Sequence, residues 1–294
     1  MSAPAPNGLA GPFDFPLSAA ETRALARAAL EEDRAFEDVT TLATVPAGAQ
    51  GRAAIIARSP GVIAGLPMAI AAFETLSESV HVRVVSGDGA RVSAGGVVAE
   101  VVGRWRALLS AERVALNFAQ RLSGVATLTA RYVDAVRGTA ARIYDTRKTT
   151  PLLRALEKYA VRCGGGVNHR ADLADAVLIK DNHLAALGGD VALAVRRARE
   201  LGRPGISVEV ECDDAHQVDA ALAAGADVIL LDNMSLDAMR GCVARVAGRV
   251  PLEASGGVTL DRVRAIAETG VDRISVGGLT HSTPALDLGL DYRA

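Results

Sequence analysis

Two adjacent cations, Arg147 and Lys148, follow the short segment Arg142-Ile143-Tyr144. Aromatic and branched residues ahead of a polar turn are typical of a β-strand, so the sequence places both cations just past a strand end. A guanidinium binds a carboxylate or phosphate through a rigid fork, whereas an ammonium acts as a mobile point charge. The pair could therefore hold two different anionic groups, although an isolated Arg-Lys pair is more often a basic turn in solvent.

Five later strand ends bear charged groups or glycine pairs. In chain order they are Lys180-Asp181-Asn182-His183, Glu209-Val210-Glu211, Asp232-Asn233, Ser255-Gly256-Gly257 and Gly277-Gly278. In parallel α/β folds, binding sites assemble at the sheet edge formed by the carboxyl ends of the strands. Together with the first, these strand ends argue against a series of unrelated turns and predict an anion site at that edge.

The glycine pairs and the acids add phosphate and metal chemistry to this prediction. Gly256-Gly257 and Gly277-Gly278 would let backbone N–H groups approach a phosphate, and we expect the first pair to open a helix, whose amino terminus favours anions. Glu211 and Asp232 come from neighbouring strands and could, with Mg²⁺, position a diphosphate or ribose hydroxyls. The alternative, also for Glu209 on the same face as Glu211, is a set of salt bridges that neutralise the cations.

A glycine-rich segment, residues 162–170, lies between the first two of these strands. Its three consecutive glycines make a pliable loop, and it ends in His169-Arg170, which could add polar donors to the anion site. A lone histidine is more often structural, so the interpretation of His169 depends on its arginine neighbour.

The elements that position these residues form a regular series from residue 142 onward. Apolar strands alternate with amphipathic helices, which indicates a parallel sheet with helices outside it. About six units occupy roughly 150 residues, whereas a complete eight-unit barrel takes about 250. The pattern therefore predicts an α/β fold with an incomplete, open α/β barrel of about six parallel strands, and a doubly wound sheet remains an alternative.

The residues before this series differ from it in composition and in the order of predicted elements. Residues 1–16 are rich in Ala, Pro and Gly and are expected to be a disordered tail. Residues 17–117 are predicted to form an α+β sandwich domain, packed with residues 281–294, and residues 118–280 the barrel. A long helix from about Ser110 to Val136 would link the two domains, with a possible break at Gly124.

Composition limits the function classes. The chain has 294 residues, of which 50% are hydrophobic, and it has no run of about 18 apolar residues and no signal-peptide pattern, so we expect a cytoplasmic protein without membrane contact. A net charge of −2 and 3% aromatic residues argue against a nucleic-acid surface. The three cysteines lack metal-binding spacing and are expected to be reduced thiols.

Four motifs in combination are specific to one family: Asp145-Thr146-Arg147-Lys148-Thr149, Glu157-Lys158-Tyr159-Ala160-Val161-Arg162, residues 164–170, and Ile179-Lys180-Asp181-Asn182-His183. With them, the chain from about Glu37 to Leu290 resembles the quinolinate phosphoribosyltransferases, decarboxylating enzymes that make nicotinate mononucleotide for NAD biosynthesis. The resemblance implies an incomplete α/β barrel and a homodimer, or an assembly of dimers, whose active sites are completed by the partner subunit.

The resemblance also implies roles for individual residues. The two carboxylates of quinolinate would be held by Arg147, His169, Arg170, Lys180 and, from the neighbouring subunit, Arg113. Lys148 would face the diphosphate of phosphoribosyl pyrophosphate. Glu211 and Asp232 would serve the ribose hydroxyls and Mg²⁺. The 5-phosphate would lie against Ser255, Gly256, Gly257, Gly277 and Gly278. The residues expected to be catalytic are Lys148, Lys180, Glu211 and Asp232.

The implied chemistry suits this set of side chains. The pyridine nitrogen attacks the anomeric carbon as diphosphate leaves, and the ring cation then draws electrons as CO₂ departs. Two polyanions must be held side by side, which demands preorganised positive charge rather than a nucleophilic side chain. The sequence contains no evident Ser/His/Asp or Cys/His nucleophile motif, which agrees with a reaction that needs no nucleophilic side chain.

Departures from the family pattern are few. Leu152 stands where glycine is usual, Ala171-Asp172-Leu173-Ala174 replaces a typical Met-Gly-Leu-aromatic run, and Glu37 also differs. Two other functions remain alternatives: a paralogous phosphoribosyltransferase of the molybdenum-transport-associated type, and a non-enzymatic anion- or nucleotide-sensing barrel. The intact Thr146-Arg147-Lys148 and Lys180-Asp181-Asn182 argue against the paralogue.

Overall fold

The computed structural model describes residues 13–203 and 205–293 and divides into two compact units. The amino-terminal unit contains the chain up to Ala130, together with Thr150–Gly165 and the segment from Ser282 onward. The parallel-sheet unit contains Arg131–Thr149 and Gly166–His281. The first boundary, predicted at residue 117 within the long linking helix, falls later in the same helix, at Ala130. Residues 150–165, predicted as barrel, group with the amino-terminal unit.

The start of the chain is described only in part. Residues 1–12 of the predicted disordered tail lie outside the described residues. Residues 13–16 make contacts: the Phe15 ring packs edge-on against Tyr159 with centroids 5.1 Å apart, and the carbonyl oxygen of Asp14 accepts a hydrogen bond from Arg162 Nη2 at 3.0 Å. The prediction of disorder was therefore wrong for residues 13–16, because an aromatic ring of this segment is packed against Tyr159.

The amino-terminal unit is a four-stranded antiparallel sheet with helices. Its helices are α1 (Ala19–Glu32), α2 (Val39–Thr44) and α3 (Leu66–Leu76), and its strands are β1 (Gln50–Ala57), β2 (Gly61–Val62), β3 (His81–Val84), β4 (Arg91–Val92) and β5 (Val97–Arg104). The sheet has the order β12-β1-β5-β3, where β12 is Leu288–Arg293, and β2 pairs with β4. The predicted capping box opens α1: Ser18 Oγ accepts from Glu21 N, and the Glu21 carboxylate accepts from Ser18 N.

The long helix α4 (Trp105–Ala135) has 31 residues and does not break at Gly124. That prediction was wrong, because the glycine serves packing rather than a kink. A Cβ at position 124 would lie 2.2 Å from the carbonyl oxygen of Pro284, so only glycine lets the carboxy-terminal segment approach the helix so closely.

The parallel-sheet unit contains all six predicted strands. They are β6 (Arg142–Tyr144), β7 (Val177–Ile179), β8 (Val208–Cys212), β9 (Val228–Asp232), β10 (Leu252–Ser255) and β11 (Arg273–Ser275). The helices after residue 150 are α5 (Arg154–Cys163), which groups with the amino-terminal unit, α6 (Asp181–Ala185), α7 (Val191–Leu201), α8 (Ala215–Ala223), α9 (Leu236–Val246), α10 (Val263–Ala267) and α11 (Gly278–His281). Hydrogen-bonded neighbours follow the order β6-β11-β10-β9-β8-β7.

This strand order decides between the two predicted architectures. From β7 to β11 the sheet advances one strand at a time without reversal, and β6 then pairs with β11. A doubly wound sheet reverses its direction at a switch point, whereas a barrel advances steadily around its axis. Because β6 and β7 occupy the two edges, the fold is an open barrel, as predicted.

Two further expectations concern the whole chain. Cys163, Cys212 and Cys242 are free thiols, and all three are buried. Within residues 13–203 and 205–293, none of the helices is both long enough and apolar enough to span a bilayer.

Candidate active site

The strand order fixes the sequence of groups along the carboxyl edge of the sheet. Going from β6 to β7, the strands end in Arg147-Lys148, Gly277-Gly278, Gly256-Gly257, Asp232-Asn233, Glu211 and Lys180. The glycine ends thus lie between a cationic end on one side and a carboxylate-rich stretch on the other. The carboxyl edge therefore presents cations, then glycine turns, then carboxylates, and it ends at Lys180.

The loop after β6 is held by backbone contacts. Lys148 N donates to Thr146 Oγ1 at 3.1 Å, and Thr149 N donates to the Arg147 carbonyl at 2.9 Å. The buried Thr280 hydroxyl donates to the Lys148 carbonyl at 2.6 Å. The Lys148 side chain itself is exposed, so the loop is ordered while its ammonium remains accessible.

Gly277 lies against this lysine. A Cβ at position 277 would stand 3.0 Å from Lys148 Cδ and 3.2 Å from His281 Nε2. A side chain there would push both groups, which gives a physical reason for glycine at a position where the backbone φ is not left-handed. The sequence analysis did not select His281. Its imidazole lies next to Gly277, as does the Lys148 side chain.

The pair Gly256-Gly257 differs from its prediction. Gly256 and Gly257 have φ of +89° and +56°, and a Cβ at Gly256 would lie 2.2 Å from Asn233 Oδ1, so the turn requires glycine. The pair does not open a helix, because α10 begins only at Val263 after a turn closed by hydrogen bonds to the Thr259 carbonyl. Ser255 pairs with Asp232 in the parallel register.

His169 occupies the concave interior of the barrel rather than its rim. Its Nε2 lies 3.1 Å from Glu209 Oε2 and 3.4 Å from Glu253 Oε1. These glutamates stand on β8 and β10, two strands apart, so one imidazole can reach both only because the sheet curves. The Ser275 hydroxyl also donates to Glu253 Oε1.

The protonation of His169 follows from these contacts. Burial alone would lower its pKa, but the hydrogen bonds with Glu209 and Glu253, and then their charges, raise the pKa of His169 to about 9. The backbone N–H of Arg170 donates to Nδ1 at 2.8 Å, so the first ring proton resides on Nε2. A second proton, on Nδ1, would require this backbone N–H to turn away.

Asp145 positions the segment that leads into His169. It is fully buried at the end of β6, and its carboxylate accepts from Asn168 Nδ2 at 2.6 Å and from His169 N at 2.8 Å. The sequence-based set omitted Asp145, although its place between a strand and the Thr146-Arg147-Lys148 run is a signal for such a role.

Arg147 and Arg170 are neighbouring cations in the parallel-sheet unit. Burial, and then the positive charge of Arg147, lower the pKa of Arg170. Arg147 Nε is buried and, among the described residues, has no hydrogen-bond partner. Two neighbouring guanidiniums with a buried unsatisfied N–H favour binding of a carboxylate or phosphate, because an anion supplies both the acceptor and the opposite charge.

Lys180 and Glu211 are paired in the structure. Lys180 Nζ donates to Glu211 Oε2, the lysine side chain is 43% exposed, and that of Glu211 is 9% exposed. The expected alternative, a salt bridge that neutralises a cation, therefore describes this pair in the present state. Asp232 Oδ2 accepts from Asn233 Nδ2 at 2.6 Å.

Arg113 stands apart from the other predicted residues. It lies on α4 in the amino-terminal unit, where its side chain is 60% exposed and 4.0 Å from Glu112. It lines a cavity of about 300 Å³ together with Asn117 and Arg121. All other residues predicted for the site belong to the parallel-sheet unit.

The residues at hand differ in their fitness for a metal. His169, Glu209 and Glu253 offer ligand atoms within 4.8 Å of one another. Because Nδ1 of His169 accepts an N–H, its Nε2 carries a proton and is a donor, not a ligand. Glu211 and Asp232 supply carboxylate oxygens on adjacent strands, which suits Mg²⁺ held by one or two carboxylates and substrate phosphates.

Comparison with known proteins finds one family over both parts of the chain. Residues 125–291 match the family described as quinolinate phosphoribosyl transferase, C-terminal domain. Residues 38–123 match the description quinolinate phosphoribosyl transferase, N-terminal domain. The chain belongs to the quinolinate phosphoribosyltransferase family.

Individual members are similar over most of their length. The nicotinate-nucleotide pyrophosphorylase (carboxylating) of Mycobacterium leprae is 48% identical over 273 residues, which cover 90% of this chain and 95% of that one. The probable enzyme of the same name from Bacillus subtilis is 46% identical over 81% of this chain and 82% of its own. The structure of the nicotinate-nucleotide pyrophosphorylase from Francisella tularensis superposes with a TM-score of 0.90 at 38% identity, over 94% of this quinolinate phosphoribosyltransferase family member and 98% of that chain.

Proposed function

We propose that this chain transfers the phosphoribosyl group of phosphoribosyl pyrophosphate to quinolinate and releases diphosphate, CO₂ and nicotinate mononucleotide. The reaction is the one for which the similar proteins are named. The observation that supports it most is the pair Arg147 and Arg170, in which a buried guanidinium N–H lacks a partner among the described residues. A dicarboxylate substrate would satisfy both guanidiniums.

The proposed steps balance without a protein nucleophile. The ring nitrogen of quinolinate forms a bond to the anomeric carbon while the bond to diphosphate breaks and diphosphate leaves with the electron pair. The carbon–carbon bond to the adjacent carboxylate then breaks, CO₂ leaves, and the remaining carbon takes a proton from solvent. Preorganised cations lower the barrier because negative charge develops on the leaving diphosphate.

The residues have separate tasks in this proposal. Arg147, Arg170 and Lys180 bind the quinolinate carboxylates, and Lys148, exposed beside Gly277, meets the diphosphate. His169 helps to orient Arg170, whose backbone N–H donates to His169 Nδ1. His169 can donate from Nδ1 to a quinolinate carboxylate only after that nitrogen is protonated. The 5-phosphate lies against Ser255 and the two glycine pairs, Gly256-Gly257 and Gly277-Gly278.

Glu211 and Asp232 would hold Mg²⁺, which neutralises charge on the diphosphate when bound. In our proposal the Lys180–Glu211 pair opens when substrate binds, so that Lys180 meets a carboxylate and Glu211 a ribose hydroxyl or the ion. The buried free thiols suit a reducing cytoplasm. We further propose a homodimer in which Arg113 acts in the partner's site.

Turnover tests the proposed reaction. Purified protein with Mg²⁺, phosphoribosyl pyrophosphate and quinolinate should release CO₂ and form nicotinate mononucleotide in equal amounts, and nicotinic acid should not replace quinolinate because it lacks the second carboxylate. Binding of both substrates without product would favour the sensing barrel, and product from a different acceptor would favour a paralogous transferase.

Lys180→Ala tests the assigned site. Loss of the cation that binds and aligns a quinolinate carboxylate is expected to lower kcat/KM about 10²-fold or more. Arg245→Ala, which removes an exposed pair with Asp219 in the same unit, is the matched control and should retain wild-type turnover. Near-normal turnover of Lys180→Ala would contradict its assignment.

Mixed dimers test the role of Arg113. Arg113→Ala and Lys180→Ala subunits, each inactive alone, should regain activity when mixed, because one of the two sites then has both residues. Verified mixed dimers without recovery would argue against sharing across the interface.

A further inference from the structure

Glu157 is a fully buried carboxylate to which the proposed reaction gives no role. It lies in the first turn of α5 and accepts four hydrogen bonds. Arg121 donates to Oε1 through Nε at 3.2 Å and Nη2 at 2.7 Å. Thr150 donates its hydroxyl to Oε1 at 2.8 Å and its backbone N–H to Oε2 at 3.0 Å. All three residues belong to the amino-terminal unit.

This set, the Glu157 anchor (Glu157, Arg121 and Thr150), fixes both the backbone and the side chain of Thr150. A carboxylate that binds two donors of one residue sets the orientation of its peptide group and its rotamer together, and bonds to ionised groups are the strong ones. A buried carboxylate cannot exchange these donors for water without a large cost. Thr150 is therefore a rigid point in the chain.

Thr150 follows Lys148 by two residues and Arg147 by three. Burial and then the positive charge of Arg147 lower the pKa of Arg170, so these two guanidiniums repel one another until an anion binds. Before Thr150, the loop is held by the Thr280 hydroxyl on the Lys148 carbonyl. The Glu157 anchor holds Thr150 within the amino-terminal unit, so the chain leaves the Arg147-Lys148 loop at a residue whose backbone and side chain are both hydrogen-bonded.

We propose that Glu157 and Thr150 are positioning residues that hold the Arg147-Lys148 segment in its anion-binding conformation, an inference that rests on the proposed function. The anchor acts through the chain and touches no substrate. Its ordinary alternative is a purely structural contact that secures the start of α5. The two differ because a structural contact changes stability, whereas a positioning contact also changes anion binding in protein that is fully folded.

Thr150→Val removes the hydroxyl bond at nearly constant volume, and Thr150→Ser restores it. Thr139→Val is the matched control, because the Thr139 hydroxyl binds only its local Val136 carbonyl, at 2.8 Å, among the described contacts. At 25 °C, where circular dichroism shows folded protein, we expect kcat/KM of Thr150→Val to fall about 10- to 100-fold, as for a misplacement of roughly 1 Å. Thr150→Ser and Thr139→Val should stay within about threefold of wild type.

Glu157→Gln provides an isosteric second variant and a cycle. Alone it should lower kcat/KM as Thr150→Val does. The kcat/KM of the double variant should lie within about threefold of that of the more impaired single variant, because both changes disturb the same contact between Glu157 and Thr150. Multiplied losses, wild-type kinetics of Thr150→Val, or a Thr150→Ser variant as impaired as Thr150→Val would each overturn the inference.

Calorimetric binding of inorganic diphosphate separates this inference from the proposed function. If the wild type makes no product, the proposed function fails, and diphosphate binding alone then decides the inference. Binding weakened about tenfold or more by Thr150→Val but not by Thr150→Ser would support it. Equal binding by all variants, or no binding by the wild type, would overturn it.

Discussion

Leu152 should be replaceable by glycine with a gain in stability. Its φ is +67°, in the left-handed region, and its side chain is 98% exposed. It stands in a turn closed by a hydrogen bond from Leu153 N to the Thr150 carbonyl at 3.1 Å. Because Pro151 holds its own φ negative, the turn is of type II, whose third position favours glycine. The family pattern also expects glycine here.

The magnitude follows from two opposing effects. A residue with a Cβ pays about 1–2 kcal/mol in the left-handed region. Glycine avoids that strain but loses about 0.5–1 kcal/mol through the greater freedom of the unfolded chain. The exposed leucine side chain contributes almost no burial. We therefore expect Leu152→Gly to raise the free energy of unfolding by about 0.5–1 kcal/mol, or about 1–3 °C in Tm.

Two further variants separate strain from packing in urea-unfolding experiments. Leu152→Ala keeps the strain and loses only exposed surface, so it should match the wild type. Leu152→Asn should lie between alanine and glycine, because asparagine tolerates the left-handed region. If Leu152→Ala and Leu152→Gly were both destabilised, or if both weakened the proposed dimer in sedimentation experiments, the leucine would be packed against a second copy and the strain explanation would be refuted.

Three other substitutions test packing, charge and the loop. Gly124→Ala should lower stability by about 1–3 kcal/mol despite the better helix propensity of alanine, because its Cβ would meet a backbone carbonyl at 2.2 Å; urea unfolding measures this. His169→Ala removes the donor that Glu209 and Glu253 share, although Glu253 keeps its bond from Ser275. A loss of about 3–5 kcal/mol at pH 6.5 should shrink by pH 5, since burial raises the pKa of Glu209 and protonation then removes a charge; equal losses at both pH values would contradict this. Gly277→Ala should displace Lys148 and raise the KM for phosphoribosyl pyrophosphate about tenfold, whereas Gly278→Ala, where a Cβ meets no described atom within 4 Å, should act less.

The open barrel was predictable because its signals are local. Buried parallel strands appear as short apolar runs between amphipathic helices, and this pattern located all six strands. The short helices α6 and α11 were not predicted, since a single turn has no periodicity and depends on tertiary contacts. Gly124 was misread for a related reason: the residue that requires it, Pro284, is distant in sequence.

The candidate site was predictable at its rim and not in its interior. The strand-end residues follow from chain order alone, because parallel strands bring their carboxyl ends to one edge. The contact of His169 with Glu209 and Glu253 depends on the curvature of the sheet, which no sequence pattern encodes. Glu253 did leave a signal, since it precedes Ser255 by two residues and so shares its face.

Buried carboxylates hold most of the segments that bear the proposed substrate-binding groups. Asp145 fixes the backbone of His169, Glu209 and Glu253 hold its imidazole, Glu211 pairs with Lys180, and Glu157 grips Thr150 beyond Lys148. Without these acids, mutual repulsion would drive the cationic side chains apart when no anion is bound. Such acids reduce the net positive charge that attracts an anion. They favour function only if the orientation of the cationic side chains matters more than the net charge of the site. That condition holds for a reaction in which two polyanions must meet in one geometry, because charge alone would bind them without aligning the ring nitrogen with the anomeric carbon. The acids behind the cations are therefore expected to affect turnover through the alignment of the bound substrates, in addition to any effect on anion affinity.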